Sequence, residues 1–496
     1  MKVLLLSMPD SFEHMPVHSV RMPNGALTSL AGNVGPKHKV AVADLILVHD
    51  RVRESVTELV RKFDPDVIGL SIMTFQRETA KKIISLIRRL KPEVYIVAGG
   101  YDPSLAQEAY VATGSDRVDF IVCGEGEITF RELLDAIQCG GGYERILGLS
   151  YREGDSFRRN PPRPMSNLNN LSLPDRSARV LKGYTLNGRQ IDVIETSRGC
   201  TFDCSFCSII EMRGRNFFTY SFDRVLADIR DARERGATAI FIVDDNITLD
   251  VKRFERLCQA IIDAELNDID YTVQAMTSSI ANHGEVLAPL MRRAGFRYVF
   301  LGIENIVEED LQFLRASAKN IRREKGRKVG NASTTAIDFL HRNGMYVVGG
   351  LIIGNPTDTL DSIKANLDFA RKYVDWPYIQ HPTPYPRTPM TQELRDQGLI
   401  VHDRVEEYDG TTAVVRTESL PCEEIEFLRW QAERWMKFRI GRVTFTHDPL
   451  YVLRHGLKML RHNFRGSTLK TFLGLEDEHA AFLRYRAIRQ AERNYL

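Results

Sequence analysis

Three of the seven cysteines fall within eight residues, in the stretch Thr196-Ser197-Arg198-Gly199-Cys200-Thr201-Phe202-Asp203-Cys204-Ser205-Phe206-Cys207. A cysteine acts as nucleophile, redox group or metal ligand, and the spacing C-x3-C-x2-C chooses among these. Zinc takes four ligands, usually from two paired motifs, and no second pair lies nearby. Thioredoxin-like exchange needs only C-x-x-C and leaves Cys200 without a task. Three thiolates on one loop suit three irons of a [4Fe–4S] cluster and leave the fourth iron open to a small molecule. Cys200, Cys204 and Cys207 are therefore the expected cluster ligands. Cys123, Cys139, Cys258 and Cys422 stand alone, and an odd total in a long chain does not suggest a disulfide framework.

The elements around this loop read as an α/β chain in four parts. Over residues 1–140 the apolar runs Val3–Ser7, Val40–Leu47, Val67–Ser71, Val94–Ala98 and Phe120–Val122 alternate with amphipathic patterns such as Arg51–Lys62 and Glu78–Leu90. Val- and Ile-rich runs between helices predict a parallel sheet covered on both faces, a Rossmann-like domain. Ligands of such sheets bind beyond the carboxyl ends of the strands. Ser71-Ile72-Met73-Thr74, Gly99-Gly100 and Gly124-Glu125-Gly126-Glu127 stand at those ends. Residues 141–188 break the rhythm and read as a linker with a small hairpin near Ile146–Arg152. From 189 to 402 a second βα series has strands at Asp192–Thr196, Ala239–Val243, Tyr271–Gln274, Tyr298–Leu301 and Tyr346–Ile353. About six units predict a partial (β/α)6 barrel. Tyr373, Trp376, Tyr378, His381 and Tyr385 then crowd a Pro-rich segment that reads as a rigid loop. Residues 403–496 read as a mainly helical region rich in aromatics and Arg.

The cysteine spacing, Phe206 before the last Cys, and the place after a first barrel strand resemble the radical S-adenosylmethionine (SAM) superfamily over roughly 190–390. The resemblance implies a cluster whose free iron holds SAM, and an electron from the cluster cleaves SAM to a hydrogen-abstracting deoxyadenosyl radical. An external flavodoxin- or ferredoxin-type donor supplies that electron. By the same likeness Asp244, Asp245 and Asn246, with Phe206, stand where relatives hold the SAM amino group. Oxygen acceptors suit an ammonium. Glu304 stands where a polar residue accepts from the ribose, and Gly350, Ile352 and Gly354 match a G-x-I-x-G strand beside the adenine. Thr357 replaces the Glu that often follows.

A parallel α/β domain ahead of such a barrel resembles the cobalamin-binding class of the superfamily. Its domain order, cluster motif and Pro-rich segment resemble the anaerobic magnesium-protoporphyrin ester cyclase and hopanoid-modifying branch. This implies cobalamin held by Ser71, Gly99, Gly100, Gly124, Glu125 and Gly126, with Pro23-Asn24-Gly25-Ala26-Leu27 as an early cofactor segment. The D-x-H-x-x-G motif of other cobalamin proteins is absent, and His38 and His49 lack its context, so no lower His ligand to cobalt is expected.

The function expected is C-methylation of a bulky hydrophobic biosynthetic intermediate, a small-molecule substrate. The alternatives are an oxidative cyclase or rearrangement enzyme on a tetrapyrrole or lipid, and a non-catalytic corrin or redox sensor, for which the carboxyl region offers no recognisable output motif. With 67 Lys and Arg against 65 Asp and Glu, global charge does not argue for nucleic acid. Residues 431–496 hold 13 Lys and Arg against 6 Asp and Glu. There Leu450, Leu453, Leu457 and Leu460 recur at helical spacing beside Arg454, Lys458 and Arg461. A basic amphipathic helix of this kind caps a barrel mouth or rests on an anionic membrane. No apolar run reaches the ~20 residues that span a bilayer, and Met1–Ser7 reads as a strand rather than a signal peptide. A cytoplasmic protein with peripheral membrane contact is the expectation.

Overall fold

The computed structural model describes residues 1–12, 20–111, 114–165, 167–324, 327–447 and 449–496. The first sheet holds β1 (Lys2–Ser7), β2 (Lys39–Asp44), β3 (Val67–Ser71), β4 (Tyr95–Gly99) and β5 (Phe120–Val122), all parallel, in the order β2-β1-β3-β4-β5. Alternate residues of β1 leave on opposite faces. Leu4 and Leu6 join the core that holds Ile83 and Ile87, whereas Val3 and Leu5 join the one that holds Phe130 and Leu133. That double burial is why the strands read as unbroken apolar runs. The switch of direction lies between β1 and β3, where open parallel sheets bind their ligands.

The stretch 141–188, expected as a linker, contributes to this sheet. β6 (Leu149–Glu153) runs antiparallel to β5, and β7 (Ser156–Arg159) pairs with β6. The hairpin starts three residues later than the sequence suggested and turns at Gly154, whose φ is +63°.

The second sheet is a curled half-barrel. β8 (Arg189–Ile194), β9 (Ala239–Ile242), β10 (Asp270–Met276), β11 (Phe296–Glu304), β12 (Tyr346–Ile352) and β13 (Trp376–Gln380) follow one another in order and in parallel. The outward side chains, such as Ile240, Val273, Val299 and Val347, pack against the surrounding helices. The sixth strand, β13, occupies part of what the prolines suggested was a loop. Pro377 is accepted because β13 lies at the edge of the sheet, where a missing N–H costs no ladder bond. From Cys422 the chain is mainly helical: Cys422–Met436, Phe438–His447, Pro449–Asn463 and Glu478–Glu492. Trp430, Phe482 and Tyr485 form a small core of their own there.

Candidate functional site

Two cavities stand at the carboxyl ends of the two sheets. The first, about 270 Å³, lies in the mouth of the half-barrel and is lined by Cys200, Cys204, Cys207, Phe206, Asp245, Asn246, Glu304, Gly350 and Ile352. The loop that brings the cysteines there departs from β8 through Gly199, whose φ is +94° and whose missing Cβ would lie 2.3 Å from Asn216 Oδ1. Only glycine fits that crossing. The three thiols are free, and burial pushes the Cys207 thiol up to about 12 and the Cys204 thiol upward. The desolvated thiols of Cys204 and Cys207 are poor anions alone. They suit metal cations, which take the proton's place and supply the missing positive charge. The donor set therefore fits an iron–sulfur cluster.

The two neighbouring acids after β9 part company. Asp245 lines the cavity, where its Oδ2 accepts from the Gly199 N–H at 2.7 Å and from Arg213 at 2.6 Å. Asp244 points away. It is 1% exposed and accepts from the Thr196 N–H at 2.6 Å and from the hydroxyls of Thr196 and Ser197 at 2.5 Å each. Burial raises its carboxyl to about 6. Asp244 thus fastens the root of the cysteine loop and does not reach the cavity. Gly354 is also outside. It turns behind β12 at φ +88°, with Ile425 against it and its N–H donated to Asp358. Asn246 does reach in, with its amide 3.8 Å from Cys200 Sγ.

Glu304 ends β11 on a bulge, with its backbone at φ +59°. Bulges at sheet ends re-aim a side chain. Here the carboxylate is turned toward Lys319, 2.6 Å away. Lys319 was not legible in the sequence. It comes from the short turn Ser317–Asn320, stands 5.9 Å from the Phe206 ring centre and is, among the described residues, the one Lys or Arg lining this cavity. Burial works against its charge, but Glu304 and then the Cys204 thiol hold its pKa above the ordinary lysine range. A buried, paired ammonium beside three cysteines is a ready partner for a ligand carboxylate.

The second cavity, about 290 Å³, lies at the ends of β1, β3, β4 and β5 and is lined by Ser71, Gly99, Gly100, Gly124, Glu125 and Gly126, with Asn24 and Ala26. All six residues expected for a corrin meet here. A Cβ at Gly100 would lie 2.8 Å from Ile72 O, and its φ is +101°, so the backbone there leaves room that only glycine keeps. The walls, Leu5, Leu27, Val97 and Phe130 among them, are apolar. A recess of apolar walls and bare backbone fits a large flat ligand or its tail. Neither His38 nor His49 lines it.

One helix, Ser208–Arg213, separates the cavities, and a chain of charges crosses between them. Arg213 holds Asp245 on one side and Glu125 at 2.7 Å on the other. Glu125 also receives Arg198, whose guanidinium reaches Glu127 and Glu195 at 2.7 Å each. Burial alone would raise Glu127, but Arg198 keeps it down at about 2. Sequence reasoning had no signal for Arg198 and Arg213.

Comparison with known proteins agrees with this division. The B12 binding domain family matches residues 24–134, and the radical SAM superfamily matches residues 194–370. An uncharacterised methyltransferase of Pyrococcus horikoshii is 29% identical over 86% of this chain and 90% of its own length. The anaerobic magnesium-protoporphyrin IX monomethyl ester cyclase of Rubrivivax gelatinosus is 25% identical over 76% of this chain and 66% of its own. The fold is shared with the radical SAM methyltransferase TsrM of Kitasatospora setae, solved with cobalamin and a [4Fe–4S] cluster. The TM-score is 0.65, at 20% identity, over 81% of this chain and 79% of that one.

Proposed function

We propose that this chain, a radical SAM enzyme with a B12-binding domain, transfers a methyl group to an unactivated carbon of a bulky, largely apolar biosynthetic intermediate. One observation carries the reading: the cysteine cavity and the glycine-lined cavity face each other across a single short helix. When bound, the cluster with SAM supplies a hydrogen-abstracting radical and the corrin supplies the methyl group. The residues of the chain hold and orient. Cys200, Cys204 and Cys207 ligate the cluster. Asp245 and Asn246 accept from the SAM ammonium, Glu304 from its ribose, Lys319 pairs with its carboxylate, and Gly350 and Ile352 flank the adenine. Ser71, Gly99, Gly100, Gly124, Glu125 and Gly126 form the corrin seat.

The name of the Pyrococcus relative supports methyl transfer, and the tetrapyrrole in the name of the Rubrivivax relative supports a bulky substrate. Peripheral contact with an anionic leaflet, on the cytoplasmic side, belongs to the same reading. No helix among the described residues is long and apolar enough to cross a membrane. Leu450, Leu453 and Leu457 are 75%, 75% and 83% exposed, which supports a surface role for their helix over a barrel cap. The test is anaerobic incubation with candidate substrates, a flavodoxin-type reductant and methyl-labelled SAM. Labelled product, S-adenosylhomocysteine and 5′-deoxyadenosine are expected together. Deoxyadenosine with an altered, unmethylated product would replace this reading by cyclisation or rearrangement.

A further inference from the structure

A third cavity, about 1030 Å³, opens between the N-terminal domain and the C-terminal helices. We propose that this chamber receives the anionic end of the substrate, on Lys458 and Arg461, while the apolar body reaches past Phe12 toward the barrel. The proposal rests on the apolar substrate argued above and adds to it an acid group and a place for that group.

Position is the first argument. Phe12 and Phe75 line the chamber with ring centres 4.9 Å apart. Phe12 also meets Tyr378 of β13 edge-on at 6.4 Å, and Tyr378 meets Phe300 at 5.5 Å. Phe300 lines the cysteine cavity. The chamber is therefore joined to the barrel lumen through three aromatic rings in series, Phe12, Tyr378 and Phe300. It is close to the corrin seat as well, because Phe75 follows by two residues Met73, which lines that seat. A molecule in the chamber has the aromatic path Phe12, Tyr378 and Phe300 between it and the cysteine cavity.

Charge is the second. Lys458 and Arg461 lie one turn apart on the helix Pro449–Asn463, both exposed and both lining the chamber. Neither has an ion pair or hydrogen bond among the described residues. The other arginines of the wall are occupied: Arg489 and Arg493 hold Asp409, Arg465 holds Glu492, and Arg484 holds Glu476. Burial pushes Asp10 up to about 7, which halves its charge near neutrality. Asp50 and Glu406 are acids of the facing walls. The helix side is uniformly cationic, since residues 449–475 hold five Lys and Arg and no Asp or Glu. A free ammonium and guanidinium at i, i+3 make a two-point site for a carboxylate or phosphate.

The third argument is the apolar stripe that adjoins the two cations on that helix. Leu450, Leu453 and Leu457 are exposed there, beside Leu469, Phe472 and Leu473 at 73%, 51% and 62%. An apolar acid meets this surface first and the two cations next.

Protoporphyrin IX, a flat dicarboxylic acid, and its dimethyl ester are the probes, bound to anaerobically reconstituted protein by equilibrium dialysis. The acid should bind at least tenfold tighter than the ester. In the Lys458→Gln, Arg461→Gln double variant that ratio should fall to about one. Arg454→Gln removes a cation of the same helix that does not line the chamber, and it should keep the ratio. Equal binding of acid and ester, failure of the acid to bind, survival of the ratio in the double variant, or its equal loss in Arg454→Gln would each overturn the proposal. No turnover is involved. A protein that discriminates as described yet methylates nothing leaves this site standing and removes the methyltransferase reading.

Discussion

At the scale of single residues, the cysteine loop carries the clearest expectation. Replacing Cys200, Cys204 and Cys207 together by Ala should reduce iron from about four per chain to almost none, measured after anaerobic reconstitution. Replacing Cys123 or Cys258 should change nothing. Glu304→Gln and Lys319→Met test the pair at the end of β11. A charge-assisted contact is worth about 1.5–3 kcal/mol, so each variant should weaken SAM binding roughly ten- to hundredfold with iron content unchanged. Unaltered SAM affinity in both would remove them from the site. The cysteines were legible because metal chemistry forces a local spacing. Asp244 and Asp245 were not separable, because adjacent residues at a strand end point to opposite sides and sequence alone does not say which side is the mouth. Lys319 was invisible for a different reason. It stands 112 residues after Cys207 in sequence order, on a turn with no motif, and only folding brings its ammonium to Glu304.

At the scale of elements, the parallel strands were legible where Val and Ile ran unbroken, since both faces of β1 and β3 are buried. β13 was not, because Trp, Pro, Tyr and Gln carry no such run. Of its alternate side chains Gln380 lines the barrel cavity and Tyr378 packs on Phe300, in place of a two-sided aliphatic core. His381, at its end, is 3% exposed. Burial, then Arg429, lowers its pKa to about 3, and its Nδ1 lies 3.2 Å from Ile353 O. The folded imidazole is thus neutral well below the pH, about 6.5, at which an unfolded one takes a proton. Its contribution to stability is complete above 6.5 and is lost as pH falls toward 3. One such group costs about 1.4 kcal/mol per pH unit in that window. Chemical denaturation from pH 7 to 4.5 should show His381→Gln with a slope shallower by about one proton than the parent protein. Parallel slopes would mean that the ring is protonated in the folded state.

At the scale of the whole molecule, residues 449–475 present an apolar, acid-free surface whose consequence is measurable. Each cation near an anionic leaflet adds about 1 kcal/mol, and that attraction weakens with salt. The protein should sediment with phosphatidylserine-containing vesicles at low salt and less at high salt. Leu453→Ser with Leu457→Ser should weaken this by about tenfold or more, since each buried Leu is worth about 1.5–3 kcal/mol. No sedimentation at low salt would leave these leucines without a lipid role. The helix itself was legible from its Leu spacing, but its two destinations were not. That Lys458 and Arg461 line the chamber, beside the exposed leucines, goes with Tyr451 packing over Gly188, a contact between distant parts of the chain.

The row of guanidiniums between the two cavities bears on whether the protein is modular. Arg198 and Arg213 belong to the half-barrel, yet Glu125 and Glu127, which neutralise them, belong to the N-terminal domain. Arg198 is 4% exposed. Breaking a buried pair by removing one partner costs about 3–5 kcal/mol. A half-barrel cut free at 189 would keep its three cysteines, with Arg198 and Arg213 left on Glu195 and Asp245 alone. The two matched blocks, residues 24–134 and 194–370, are tied to each other by these buried pairs. An exchange of its corrin domain for a relative's would succeed only where the incoming loop carries carboxylates at the places of Glu125 and Glu127.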